Sequence, residues 1–156
     1  MIRVHALRGH DATIEHDAAH GTPITIRVTC VFEILVTGVR MRTATDANPV
    51  LIDELRQMAT GRFGDMVKAV VDLRRGIVLL DADMHADQEA ELLADGSAQQ
   101  DLWGINLYPD LPDSDWLEFD SMINLRPSFG NRSRGVDDPA IRERILDLVE
   151  RVVRRR

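Results

Sequence analysis

The sequence predicts an α+β fold, an antiparallel sheet built from two β-hairpins and packed by three helices. Three observations predict it. Asn48-Pro49 and Asp138-Pro139 are helix starts, and each opens a stretch whose apolar residues recur at helical spacing. β-Branched runs flank Arg74-Arg75-Gly76, the pattern of a hairpin turn. Alternation over 103–108 and again over 116–125 supplies a second hairpin, across a loop at 109–115 whose prolines and aspartates exclude regular structure. The chain of 156 residues has room for one core.

Along the chain, the first twenty residues hold four of the five histidines without clear periodicity. From Ile24 through Ile26, Val28, Cys30, Phe32 and Ile34 to Val36, apolar residues take every second place, the period of a half-buried strand. That length predicts a bend near Val31, and a short extended piece follows at 39–43. The first helix sets Leu51, Ile52, Leu55 and Met58 on one face and ends at Gly61 or Gly64. The first hairpin joins 66–73 to 77–80. A second helix over 87–93 closes at Asp95-Gly96. In the second hairpin Trp103, Ile105 and Leu107 share one face of the first strand; Leu117, Phe119, Ser121, Ile123 and Leu125 share one face of the second. Residues 126–136 form a loop rich in Gly, Ser and Arg. Asp138 then caps a last helix whose stripe is Ile141, Ile145, Leu148, Val149 and Val152, with a basic tail at its negative end. There is no fixed-period repeat.

Hydrophobic residues at 44% and charged residues at 29% are the balance of a folded chain, and 4% aromatics make its core mainly aliphatic. A formal charge of -7 disfavours broad attraction to nucleic acid or anionic membranes, while leaving room for a local basic patch. One cysteine, Cys30, excludes an intrachain disulfide and a cysteine-based zinc cluster, so a cytoplasmic location is expected. No apolar run approaches the roughly 20 residues of a membrane span. Charged residues also stand where a signal peptide would need an apolar stretch. Among the 19 basic residues only Lys68 is lysine, a bias read as codon usage.

Three groups of strings, Phe63-Gly64-Asp65-Met66-Val67-Lys68 with His85-Ala86-Asp87, Asp101-Leu102-Trp103-Gly104-Ile105-Asn106-Leu107-Tyr108-Pro109, and Phe119-Asp120-Ser121-Met122-Ile123-Asn124-Leu125-Arg126-Pro127-Ser128 continued by Gly130-Asn131-Arg132-Ser133-Arg134-Gly135-Val136, point the same way. Over about residues 46–153 the chain resembles a small bacterial family known as domain of unknown function 5674. The resemblance implies no activity and carries no catalytic residue across. Phe129 departs from it, standing where the family has a polar residue, so a hydrogen-bonding role is not carried to that position. Residues 1–40 lie outside the resemblance and are read either as added strands or as an extension from a start site assigned too early; residues 41–156 are read as a single α+β domain.

The most suggestive candidate site is the 126–134 loop. Arg126, Ser128, Asn131, Arg132, Ser133 and Arg134, with glycines before a capped helix, are the parts of an anion site: mobile amides, bidentate donors and a positive helix end. The alternative is that its arginines pair with nearby carboxylates and brace the loop. It lacks the order of a Walker loop. A second candidate, at 81–89, concentrates oxygen ligands around an imidazole, and Asp83, His85 and Asp87 are its metal candidates. Ala86 and Leu92 stand where an EF-hand needs Gly and Glu. His85 with Asp120 is the catalytic candidate, as a general acid/base pair if the fold joins them.

The sequence therefore predicts a small binding or regulatory domain that recognises an anionic, phosphate-bearing small molecule or an acidic protein partner through the 126–134 loop. The rival is a metal-dependent or acid/base hydrolase using His85, which requires His85, Asp120 and Arg132 to line one pocket. No cofactor is predicted, and homo-oligomerisation through an exposed strand edge stays open.

Overall fold

The computed structural model describes residues 3–6, 12–15 and 41–155, and the chain divides into two units, Met1–Thr37 and Gly38–Arg156. In the first, β1 (Arg3–Ala6) pairs antiparallel with β2 (Ala12–Glu15), Val4 opposite Ile14. Each strand is four residues long, too short for alternation to stand out among scattered histidines. The alternating stretch at 24–36 lies outside the described residues.

The second unit runs β3 (Arg42–Ala44), β4 (Val50–Leu51), α1 (Ile52–Arg62), β5 (Val67–Asp72), β6 (Ile77–Leu80), α2 (His85–Ala94), β7 (Leu102–Leu107), β8 (Leu117–Glu118), α3 (Pro139–Val152) and β9 (Val153–Arg154). Short 3-10 turns lie at Gln99–Asp101, Met122–Asn124 and Pro127–Phe129. Five strands form one antiparallel sheet in the order β3-β6-β5-β7-β8, so the class is α+β as predicted.

Successive strand side chains go to opposite faces, and the core follows. Val67, Ala69, Val71, Trp103, Ile105 and Leu107 cluster with Leu55 and Ala59 of α1 and with Ile145, Leu148, Val149 and Val152 of α3. Val70, Leu79 and Leu102 cluster instead with Leu92 of α2. Thus α1 and α3 cover one face of the sheet and α2 part of the other. No helix among the described residues is long and apolar enough to cross a membrane.

Local signals place most boundaries. Gly76 takes φ +66 in the first hairpin turn, where Asp72 Oδ1 accepts from the N–H groups of both Arg74 and Arg75 at 2.9 Å. Asp138 Oδ1 accepts from Ala140 N at 2.8 Å, the predicted cap of α3, worth about 1 kcal/mol. Two expectations are corrected. Asn48 does not cap α1, which begins at Ile52. Asn48 and Thr45 close a turn through their backbones, and Val50 and Leu51 pair in parallel with Val153 and Arg154. The residue before proline is pushed to extended backbone, and fully buried Val50 gains more beside β9 than in a helix turn. The strand expected to reach Leu125 stops at Glu118 because Ser121 N turns away to Arg134 O, 3.0 Å.

Candidate functional site

Where β8 leaves the sheet, side chains take its place along β7. The Asn124 amide accepts from Gly104 N at 2.8 Å and donates to Gly104 O at 2.8 Å, imitating a strand residue. Its Nδ2 also donates to Arg134 O, 2.9 Å. Further along, Arg126 donates from Nη2 to Leu102 O at 2.5 Å and from Nη1 to Gln99 O, with its guanidinium 4.5 Å from the centre of the Trp103 ring. Burial pushes the Arg126 guanidinium below its ordinary value.

Asn131, Ser133 and Arg134 of the 126–134 loop are likewise engaged by the chain itself. Asn131 donates from Nδ2 to the carbonyls of Asn124, Ser133 and Gly135 at 2.8 to 3.0 Å, while its Oδ1 accepts from Asp137 N at 2.7 Å. Asp137 accepts from the Ser133 hydroxyl and from Arg132 N, and these bonds, the hydroxyl first, hold its carboxyl below the usual range. The anion-binding parts expected of this loop thus already hold a carboxylate of the chain. Arg134 forms a two-pronged pair with Asp120, Nε to Oδ1 at 2.7 Å and Nη2 to Oδ2 at 3.0 Å. Ser128 is exposed.

The face carrying α2 has a polar end. Lys68, Asn106 and Glu118 are register partners across β5, β7 and β8 and so form one row. Asn106 donates from Nδ2 to Glu118 Oε2 at 2.9 Å, Tyr108 donates its hydroxyl proton to the same oxygen at 3.1 Å, and buried Asn106 Oδ1 finds no donor among the described residues. The Lys68 ammonium donates to Asp83 O at 2.9 Å and lies 4.6 Å from the Phe63 ring centre. It makes no ion pair among the described residues.

His85, the first residue of α2, completes this end. Its Nε2 lies 2.8 Å from Ile105 O. A carbonyl only accepts, so Nε2 carries the proton and Nδ1 is the accepting nitrogen. Burial lowers the His85 pKa, the Ile105 carbonyl opposes this, and the charges of Lys68, Asp120 and Arg134 act on it more weakly. The folded imidazole therefore binds a proton less readily than the unfolded one. Its contribution to stability is intact above about pH 6.5 and is lost as pH falls below that value. The thermal midpoint should be lower at about pH 5.5 than at about pH 7.5. His85→Gln, which can still donate to Ile105 O, should flatten that dependence, as scanning calorimetry across pH would record.

The acidic segment is arranged differently from a metal centre. Asp81 and Asp83 both pair with Arg62 at 2.6 Å, Asp87 is exposed in the first turn of α2, and His85 is turned to Ile105. Asp83, His85 and Asp87 do not converge, and no three His, Cys, Asp or Glu side chains among the described residues do so. Helical spacing and the Arg62 clamp are the reasons. His85 and Asp120 do share the polar end, yet the arginine beside them is Arg134, not Arg132. Two open hollows lie elsewhere, one around Trp116 and Arg155 and one around Leu73 and Arg151.

The family described as "Protein of unknown function (DUF5674)" matches residues 45–152. The chain belongs to this family. No curated protein and no solved structure matches it. The matched span of the DUF5674 domain contains every residue of the polar end. Of these, sequence reading passed over Lys68, Asn106 and Tyr108 as site residues, and Asn124 as the clamp on β7. The available signal was a polar side chain between apolar neighbours in a strand, Lys68 between Val67 and Ala69 in β5 and Asn106 between Ile105 and Leu107 in β7.

Proposed function

We propose that this DUF5674 protein is a binding module for a small molecule bearing a phosphate or carboxylate, held at the polar end of the sheet. The observation that carries the reading is Lys68. Its ammonium, without a carboxylate partner among the described residues, sits at the start of α2, whose first turn has no side-chain cap and carries a positive dipole end. Arg134 comes to the same place from the 126–134 loop and would exchange Asp120 for the ligand anion.

The test is the thermal midpoint of the full chain in inorganic phosphate, adenosine monophosphate and citrate, against sodium chloride of equal ionic strength. A ligand at 100 times its Kd adds about 2.7 kcal/mol, a shift of several degrees. Stabilisation by one of these anions that Lys68→Met abolishes and Lys68→Arg partly keeps is expected. No shift, or a shift unchanged in Lys68→Met, overturns the reading. A second reading, acid/base hydrolysis, is favoured by the fixed His85 tautomer, whose Nδ1 would take a proton from water beside Asp120. It requires release of phosphate from the nucleotide, lost in His85→Gln while binding persists.

A further inference from the structure

Glu118 is held from one side only. Both of its hydrogen bonds reach the same oxygen: Asn106 Nδ2 at 2.9 Å and the Tyr108 hydroxyl at 3.1 Å donate to Oε2. Burial first, and the bond to Glu118 second, raise the Tyr108 hydroxyl above its ordinary value, so it keeps the proton that it donates. Glu118 is exposed, its Oε1 accepts from nothing among the described residues, and it makes no ion pair among them. The chain therefore presents a carboxylate fixed in orientation, with both acceptor positions of its second oxygen open. Lys68 stands in the same row. It lies opposite Asn106, which lies opposite Glu118, and side chains directly opposite one another across a sheet share a face. Two strand spacings, roughly 10 Å, separate the backbones of Lys68 and Glu118. A cation without a carboxylate and a carboxylate without a cation thus stand at the two ends of one row, with the Asn106 amide between them.

We propose that Glu118 recognises the far end of the ligand whose anion Lys68 holds, and that this ligand is the phosphate ester of a short polyol, its hydroxyls donating to Glu118 Oε1. The proposal rests on the anion reading above and adds the ligand class to it. A bare phosphate fills the Lys68 end of the row alone, whereas an ester on a short carbon chain reaches both ends. The chain already uses this carboxylate as an acceptor for a hydroxyl, that of Tyr108, and neighbouring hydroxyls of a polyol supply two more donors for the open oxygen. Fixing the carboxylate favours hydroxyls over an ammonium. Hydroxyl hydrogen bonds depend on direction and gain from an acceptor oriented in advance, while an ammonium is a compact charge that gains little from it. Orientation fixed during folding is not lost again on binding.

The test is isothermal titration of the full chain with inorganic phosphate, ribose 5-phosphate and O-phosphoethanolamine at equal ionic strength. Ribose 5-phosphate should bind at least about tenfold tighter than inorganic phosphate. O-phosphoethanolamine, which brings an ammonium in place of hydroxyls, should show no such advantage. In Glu118→Gln the amide oxygen can take over the bonds from Asn106 and Tyr108, which turns a donor toward the ligand, and the advantage of ribose 5-phosphate should fall below about twofold. Because Glu118 is exposed, this variant should melt with the wild type, which separates lost recognition from lost folding. Equal binding of phosphate and ribose 5-phosphate, an advantage that survives Glu118→Gln, or a preference for O-phosphoethanolamine overturns the proposal and leaves the anion reading standing. Phosphate binding unchanged in Lys68→Met, or binding of none of the three compounds, overturns both.

Discussion

Gly104→Ala should lower the thermal midpoint by roughly 10 °C. A Cβ at this position would stand 2.5 Å from both Cβ and Oγ of Ser121 and 3.1 Å from Ile123 Cγ1. Neither neighbour can withdraw cheaply. Ser121 is 2% exposed, with its N–H held by Arg134 O at 3.0 Å, and Ile123 packs on the cluster of Val70, Leu79, Leu92 and Leu102. Overpacking of this kind costs about 3 kcal/mol at the upper end, and each kcal/mol shifts the midpoint of a domain of this size by about 4 °C. Ser121→Gly removes the obstructing atoms, so the double variant should recover most of the loss, and a double-mutant cycle by urea unfolding reads the coupling. A single-variant loss below about 1 kcal/mol would mean that the two segments are not in contact.

Asn124→Leu should cost more, about 3 to 5 kcal/mol, although it keeps the branching of the side chain. The substitution strands Gly104 N and Gly104 O, both bonded to the Asn124 amide at 2.8 Å, and leaves Arg134 O with Ser121 N as its one remaining donor. Each buried group left without a partner costs about 1 to 3 kcal/mol, partly offset where relaxation admits water. The expected signature is a lower midpoint concentration in urea at an unchanged slope. Asn124→Asp retains the acceptor for Gly104 N but removes both donors, and it should fall near the leucine variant. A loss under about 1 kcal/mol in both would show that the clamp is dispensable.

Hairpins and caps were legible because their causes are local. Gly76 supplies the positive φ of its turn, and Asp138 bonds an amide two residues away. Trp103, Ile105 and Leu107 alternate because they face the helix-covered core, while Gly104 and Asn106 between them meet Ser121, Asn124 and Glu118. The errors fall where a distant segment competes. Val50 and Leu51 read as the start of a helix because nothing near them announces β9, which approaches from the other end of the chain. Residues 119–125 alternate as a strand should, yet side chains from the same segment replace its backbone ladder on β7. Of the candidate site, residue types were readable and pairings were not. Arg126 and Arg134 are both donors in the sequence, but one is committed to carbonyls and the other to Asp120.

The sequence by itself determined the α+β class, the first hairpin, the helix starting after Asp138, and membership in the DUF5674 family, because patterning, turn chemistry and extended strings are properties of neighbouring residues. Only the tertiary structure decided that Lys68, His85, Asn106, Asp120 and Arg134 meet at one end of the sheet, and that Asn124, Arg126 and Asn131 are buried on backbone carbonyls. The physical reason is that a hydrogen bond or an ion pair depends on the distance between its two partners. Where those partners lie tens of residues apart, only the packing of α2 and the loop against β7 sets that distance.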